Sequence, residues 1–267
     1  MSKAAGVRDG FVFPKWANYL LPVLVLGAIG GAVITPKVVF FGLSAETLNP
    51  GYMPEQPVPY SHAVHVGQLG LDCRHCHTTV DKAGFAAIPP TETCISCHAP
   101  GTDPNGEPTA FMGIKQNSQK LAAVHESYWT GKPIPWVKVH SIADYAYFNH
   151  AAHINKGVGC YSCHGRVDQM GEEGVWQVHN LSMGWCLDCH REPEKHLRPV
   201  SEVTNMTYHL GRGRGPDGRE LKGGPNALEV RDGETLAEAQ LRVGLELKKE
   251  YRIHGAAYMQ ACSTCHR

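Results

Sequence analysis

All ten cysteines of this 267-residue chain fall into five Cys-x-x-Cys-His motifs, and none is left over. The motifs are Cys73–His77, Cys94–His98, Cys160–His164, Cys186–His190 and Cys262–His266. No other feature limits the possible folds as tightly. The thiol pairs are Cys73/Cys76, Cys94/Cys97, Cys160/Cys163, Cys186/Cys189 and Cys262/Cys265. Each is spaced to form thioether bonds to the two vinyl groups of a haem, and the adjoining histidine then falls directly under the iron. The pattern predicts five haem c groups with His77, His98, His164, His190 and His266 as proximal ligands. Structural zinc sites do not require a histidine after every second cysteine. A disulfide framework would scatter its cysteines, and thiols at this spacing make strained, redox-active pairs.

Composition explains why the haems matter to folding. The hydrophobic fraction is 42%, but much of it lies in one N-terminal run, and the rest is rich in Gly, Pro and His. Such a segment cannot offset its conformational entropy by burying its own side chains. The predicted fold class is therefore mostly irregular chain with short α-helices packed around five covalently bound c-type haems, a class III-like multihaem cytochrome c, plus one N-terminal transmembrane helix. The formal charge is zero with histidines neutral, so nothing points to nucleic acid. Covalent haem attachment takes place outside the bacterial cytoplasmic membrane, which predicts a periplasmic haem domain.

Residues 1–15 carry Lys3, Arg8 and Lys15 against Asp9 and read as a cytoplasmic N-terminus. Residues 16–36 form the predicted anchor: Trp16 to Ile34 is nineteen residues without a charge, long enough to cross a bilayer. Positive residues before it predict a single pass with the N-terminus inside, and Trp16 and Tyr19 fit an interfacial belt. Gly30-Gly31-Ala32 would suit a cleaved signal, but the apolar core is longer than a usual signal core, favouring an anchor. Residues 37–59 read as a Pro-rich connector. Residues 60–135 hold the first dihaem unit and a loop with a short helix over Ser118–Tyr128, where His125 reads as a packing histidine. Residues 136–200 form the second dihaem unit, with a short extended segment around Val137–Val139. Residues 201–267 hold a basic loop with Arg212, Arg214, Arg219 and Lys222, an amphipathic helix over Thr235–Tyr251, and the fifth haem. His196 and His209 read as solvated.

Five irons need five further ligands. His62/His65 and His150/His153 supply four candidates, since a spacing of three puts both rings on one side of a helical turn. Tyr60 and Phe148, two residues before each pair, are expected to pack on porphyrin. For the fifth iron His140 and Met183 lead, followed by His179, His254 and Met259. Met183 is favoured because it lies three residues before Cys186. A fully ligated set leaves no open iron, so the chain is expected to carry electrons without being an enzyme by itself.

Several stretches resemble the pentahaem cytochrome c subunit (ActA) of alternative complex III. They are Gly51-Tyr-Met-Pro-Glu-Gln-Pro-Val-Pro-Tyr-Ser-His62 with His65, Val139-His140 through Asp144-Tyr145-Ala-Tyr147-Phe148-Asn-His150 with His153, and Met183-Gly-Trp-Cys186. The likeness covers most of the chain and is weakest from Thr204 to Ala261. It implies a relay that takes electrons from a quinol-oxidising membrane complex to a downstream cytochrome c, copper protein or oxygen reductase. The implied partners are polytopic quinol-binding membrane subunits, an iron–sulfur subunit resembling molybdopterin oxidoreductases, a monohaem cytochrome c, and a terminal oxygen reductase or soluble electron carrier. A resemblance to small multihaem cytochromes of the seven and three classes further implies His62 and His150 on the first and third haems, with His65 and His153 on the second and fourth. The competing readings are a single-anchor multihaem quinol dehydrogenase feeding a periplasmic reductase, and a multihaem reductase with an open iron.

Overall fold

The computed structural model describes residues 13–43, 49–110 and 113–266. The basic run with Lys3, Arg8 and Asp9, and residues 44–48 of the connector, lie outside the described residues. The chain divides into two compact units, Met1–Thr47 and Leu48–Arg267.

In the first unit, helix α1 spans Ala17–Leu43. Its apolar stretch, Ala17–Val39, is 23 residues long and apolar enough to cross a membrane. At 1.5 Å per residue that is about 35 Å, against a hydrocarbon core of about 30 Å. Pro22 and Pro36 sit inside the helix, which therefore runs on past the anchor end expected at residue 36.

The second unit is a series of short helices joined by irregular chain: α2 (Cys73–Cys76), α3 (Thr91–His98), α4 (Ala122–Thr130), α5 (His150–Ile154), α6 (Tyr161–His164), α7 (Met183–Arg191), α8 (Leu236–Glu250), α9 (Ala256–Met259) and α10 (Cys262–Cys265). A two-residue parallel ladder joins β1 (Arg212–Gly213) to β2 (Glu229–Val230). Helices α2, α3, α6, α7 and α10 coincide with the five motifs. One helical turn puts residues three apart on one face, so each thiol pair points the same way. Side-chain caps start two of these turns: Asp72 accepts from Arg74 N, and Ser182 accepts from Trp185 N.

The apolar core sits towards the C-terminus. Tyr208, Leu228, Val230 and Ala239 are buried together, with Leu221, Leu236 and Val243 packed against them. Helix α8 closes this core and begins with a reciprocal cap: Thr235 accepts from Glu238 N while the Glu238 side chain accepts from Thr235 N. Its Gly244 lies against the Glu194 carbonyl, and Lys248 pairs with Glu194 at 2.6 Å.

Local expectations meet mixed outcomes. The helix read at Ser118–Tyr128 forms as a tight turn over Gln119–Leu121, capped by Ser118, followed by α4, which ends at Gly131 in the left-handed region with φ 68°. No strand forms at Val137. Instead the Gln56 side-chain amide plays the partner strand, accepting from Val137 N at 3.0 Å and donating to Val137 O at 2.8 Å. The basic loop is partly pinned, since Arg212 joins the ladder and pairs with Glu229 at 2.9 Å. His196 is exposed. His209 is not a solvated side chain: its ring stacks on Tyr161 at 3.7 Å and 8°.

Candidate haem centres

The two histidine turns are built alike. After His62 the chain forms a wide turn over Ala63–Gln68, and the other pair forms α5, capped by Asn149 accepting from Ala152 N at 3.2 Å. Tyr60 stacks on His65, with centroids 4.4 Å apart and planes 19° apart, and meets His62 edge-on at 4.8 Å. Phe148 stacks on His153 at 4.6 Å and 25°, and meets His150 edge-on at 4.7 Å. Each aromatic thus fixes the ring plane of the second histidine in its pair. The second histidine also donates from Nδ1 to the carbonyl four residues back, His65 to Ser61 at 2.8 Å and His153 to Asn149 at 2.7 Å.

The motif histidines are held in the same way by more distant chain. Nδ1 of His77 donates to Ala87 O at 2.9 Å, His98 to Ile114 O at 2.7 Å, His190 to Met259 O at 2.9 Å, and His266 to Tyr145 O at 3.0 Å. His150 Nδ1 donates to Gly84 O at 3.0 Å. A carbonyl can only accept, so in each case Nδ1 carries a proton, and Nε2 is the nitrogen left to face a metal. That is how proteins orient imidazole for a metal.

Spacing tests which rings could face across one iron. Two imidazoles on opposite sides of a metal have centres about 6 Å apart, because the metal–nitrogen bond is about 2 Å and the ring centre lies about 1 Å beyond. His65 and His98 are 6.0 Å apart, and His153 and His190 are 6.2 Å apart. Both pairs match. His140 and His164 are closer, 4.5 Å, too near for one iron to stand between them. His62 neighbours His77, and His150 neighbours both His140 and His164. The third motif therefore has two candidate histidines beside it, where the sequence pattern supplied one.

Protonation suits ligation. Withdrawal from water, then the neighbouring His77 and His65, lowers His62 to about 4. Withdrawal from water, then His150 and His179, lowers His140 to about 4. His164 falls to about 3 for the same leading reason, with His140 the next cause. These rings are neutral at physiological pH, the form a metal binds. His62 Nδ1 and His140 Nε2 are buried without hydrogen-bond partners.

The remaining candidates are less well placed. Met183 opens α7 and is 65% exposed. His179 stacks on Trp185 at 5.2 Å, and His254 lies 4.1 Å from Tyr258. Met259 contributes its carbonyl to His190. His125 packs as expected, donating from Nε2 to His98 O at 2.9 Å. Sequence reasoning missed Arg198, which is 4% exposed, donates to Asn205 O at 2.8 Å, lies 4.9 Å from the centre of the Tyr208 ring and leaves Nε buried without a partner. Its one local signal was Gly159, whose absent side chain makes room for the guanidinium.

The donor set fits haem c. All ten cysteines are free thiols, paired on single turns. Among the described residues no group of three or more His, Cys, Asp or Glu side chains is arranged to hold a metal ion directly, so the cages that zinc would need are not formed there.

No family model matches the sequence. Over 158 residues, 58% of this chain, it is 33% identical to the protein named menaquinone reductase, multihaem cytochrome c subunit, of Nitratidesulfovibrio vulgaris (strain Hildenborough). The match spans 64% of that relative's length. Short helices, irregular chain, one N-terminal apolar helix and ten cysteines at haem-attachment spacing are all compatible with that likeness.

Proposed function

We propose that this chain is a membrane-anchored pentahaem cytochrome c that relays electrons within a quinone-linked membrane complex and is not an enzyme by itself. The observation that carries this reading is the spacing of two imidazole pairs, His65/His98 at 6.0 Å and His153/His190 at 6.2 Å, the separation that one iron between them requires, each ring with Nδ1 tied to a carbonyl. Five haem c groups, one per motif, would supply one-electron redox chemistry. The chain's residues attach them through the ten cysteines, hold the irons from both sides, and leave no position for a substrate. His62 is the distal candidate for the first motif, and His140 or His150 for the third. Met183 stays with the fifth motif on sequence grounds. Buried Arg198 supplies a positive charge against the propionates that five haems bring.

The name of the relative supports a quinone-linked complex and does not single out alternative complex III. Membership of that complex is supported by the stretches around His62, His140–His153 and Met183–Cys186. In that setting quinol is oxidised on polytopic membrane subunits. An iron–sulfur subunit and a monohaem cytochrome c are neighbours, and an oxygen reductase or soluble carrier is the acceptor. The apolar helix α1 is the anchor, with the N-terminus cytoplasmic and the haem domain periplasmic.

The single apolar helix together with the relative's name also favours a second reading, in which this chain oxidises menaquinol directly. Purification of the full chain in mild detergent, followed by addition of menaquinol, separates the two. Co-purifying polytopic and iron–sulfur subunits, with no haem reduction of the isolated chain, is the expected result. Isolation alone with rapid reduction by menaquinol would overturn it.

A further inference from the structure

The motifs are not neighbours in the order in which the chain presents them. The second motif adjoins the first through the histidine turn before it: the His98 ring lies 6.0 Å from His65, whose carbonyl accepts from Leu71 N, just ahead of Cys73, at 3.0 Å. The first then adjoins the third. Thr204 donates to the Asp72 side chain at the start of the first motif at 2.9 Å, and the adjoining Val203 carbonyl accepts from Cys160 N at 2.9 Å. The backbone joins the same two regions, because His150 N donates to Gly84 O and Ala151 N to Ala83 O, each at 3.1 Å. The third adjoins the fourth through the histidine turn before it: His153 lies 6.2 Å from His190, and its carbonyl accepts from Val158 N, just ahead of Cys160, at 3.0 Å. The fourth adjoins the fifth, since His190 donates to Met259 O at 2.9 Å, in the helix just ahead of Cys262.

Exposure is an independent observation, and it agrees. Cys97 and Cys262 are the exposed cysteines, and the other eight are partly buried. These two belong to the second and the fifth motifs, the two ends of that chain of contacts.

We propose that the five sites form one linear relay in the order second, first, third, fourth, fifth, and that electrons enter and leave this chain at the second and fifth motifs. Each hop moves one electron from a ferrous to the neighbouring ferric haem, with no bond or proton change. The second motif is then a dead end for any route that follows sequence order. One exchange partner docks near Cys97, and the other near Cys262.

This proposal rests on the haem reading above, and the test keeps the two apart. In the loaded protein every native cysteine is bound to haem, so an introduced exposed cysteine is the free thiol for attachment to gold. The full chain in detergent is attached through Gln260→Cys, beside the fifth motif, and the number of haems that exchange electrons rapidly is counted by fast-scan voltammetry. Mass spectrometry gives the number of haems attached. With Cys94→Ala/Cys97→Ala, four haems remain and all four are expected to exchange. A relay in sequence order would strand the first haem and leave three. Attachment at the other end, through exposed Asn117→Cys, with Cys73→Ala/Cys76→Ala, is expected to leave one rapidly exchanging haem. Four there would overturn the order. Fewer than five haems on the parent protein would instead overturn the underlying reading.

Discussion

Around Tyr60–His65 and Phe148–His153 the ring contacts repeat to within a few tenths of an ångström, yet the first histidine of each turn is housed differently. His62 keeps Nδ1 buried without a partner and has His77 as neighbour. His150 donates from Nδ1 to Gly84 O at 3.0 Å, and Asn155 donates from Nδ2 to Asp81 O at 2.9 Å, so the second turn is docked on the loop that follows the first motif. The local rules of six residues reproduce the turn. The packing around it is decided by chain brought from far away. In the first dihaem unit the turn serves its own motifs; in the second it also holds the two dihaem units together, next to the third motif.

That asymmetry predicts unequal damage. Removing the third attachment site, by Cys160→Ala/Cys163→Ala, empties the place where both units meet and is expected to cost more than one haem. Cys94→Ala/Cys97→Ala should lose only its own. Intact mass and haem staining after gel separation read the difference, and equal losses would break the comparison.

Next in size are exchanges at the matched second histidines. His65→Met and His153→Met should each raise the potential of one haem, by on the order of 0.1 V within the ~0.8 V range that axial ligands span. Because the two turns hold these rings alike, the shifts should be similar in a redox titration. A shift at only one would show that the likeness of the turns is superficial.

Further down, Gly244→Ala puts a methyl group into the Glu194 carbonyl, which packs against α8. A loss of about 1–3 kcal/mol, read as a lower Tm, is expected, since the added methyl overpacks the site. Thr235→Ala removes the α8 cap and should cost about 1 kcal/mol. Tyr60→Phe should change stability least, below about 0.5 kcal/mol, because Phe148 already does the same stacking in the other turn.

What could be read from the sequence was what contiguous residues decide. The five motifs and the paired histidines needed only their own spacing, and the apolar residues Leu236, Leu241, Val243 and Leu245 set among Glu and Lys marked α8. What could not be read depends on contacts far apart in the chain. The approach of His140 to His164, the Gln56 amide against Val137, the stack of His209 on Tyr161 and the burial of Arg198 all join segments tens of residues apart. The favoured role of Met183 rested on its nearness to Cys186 in sequence. At 65% exposure on the first turn of α7, its side chain gains no further support from the fold. Replacing Met183 with Leu should still disturb one set of low-spin iron signals if it binds the fifth iron; unchanged signals would move that role to a histidine.

Mass spectrometry of the full chain under denaturing conditions shows whether every Cys-x-x-Cys-His motif carries a covalently bound haem, because thioether bonds survive unfolding whereas zinc and unattached haem are lost. The expected mass is that of the polypeptide plus five haems. The mass of the bare polypeptide, or of a chain with fewer than five haems, would contradict it.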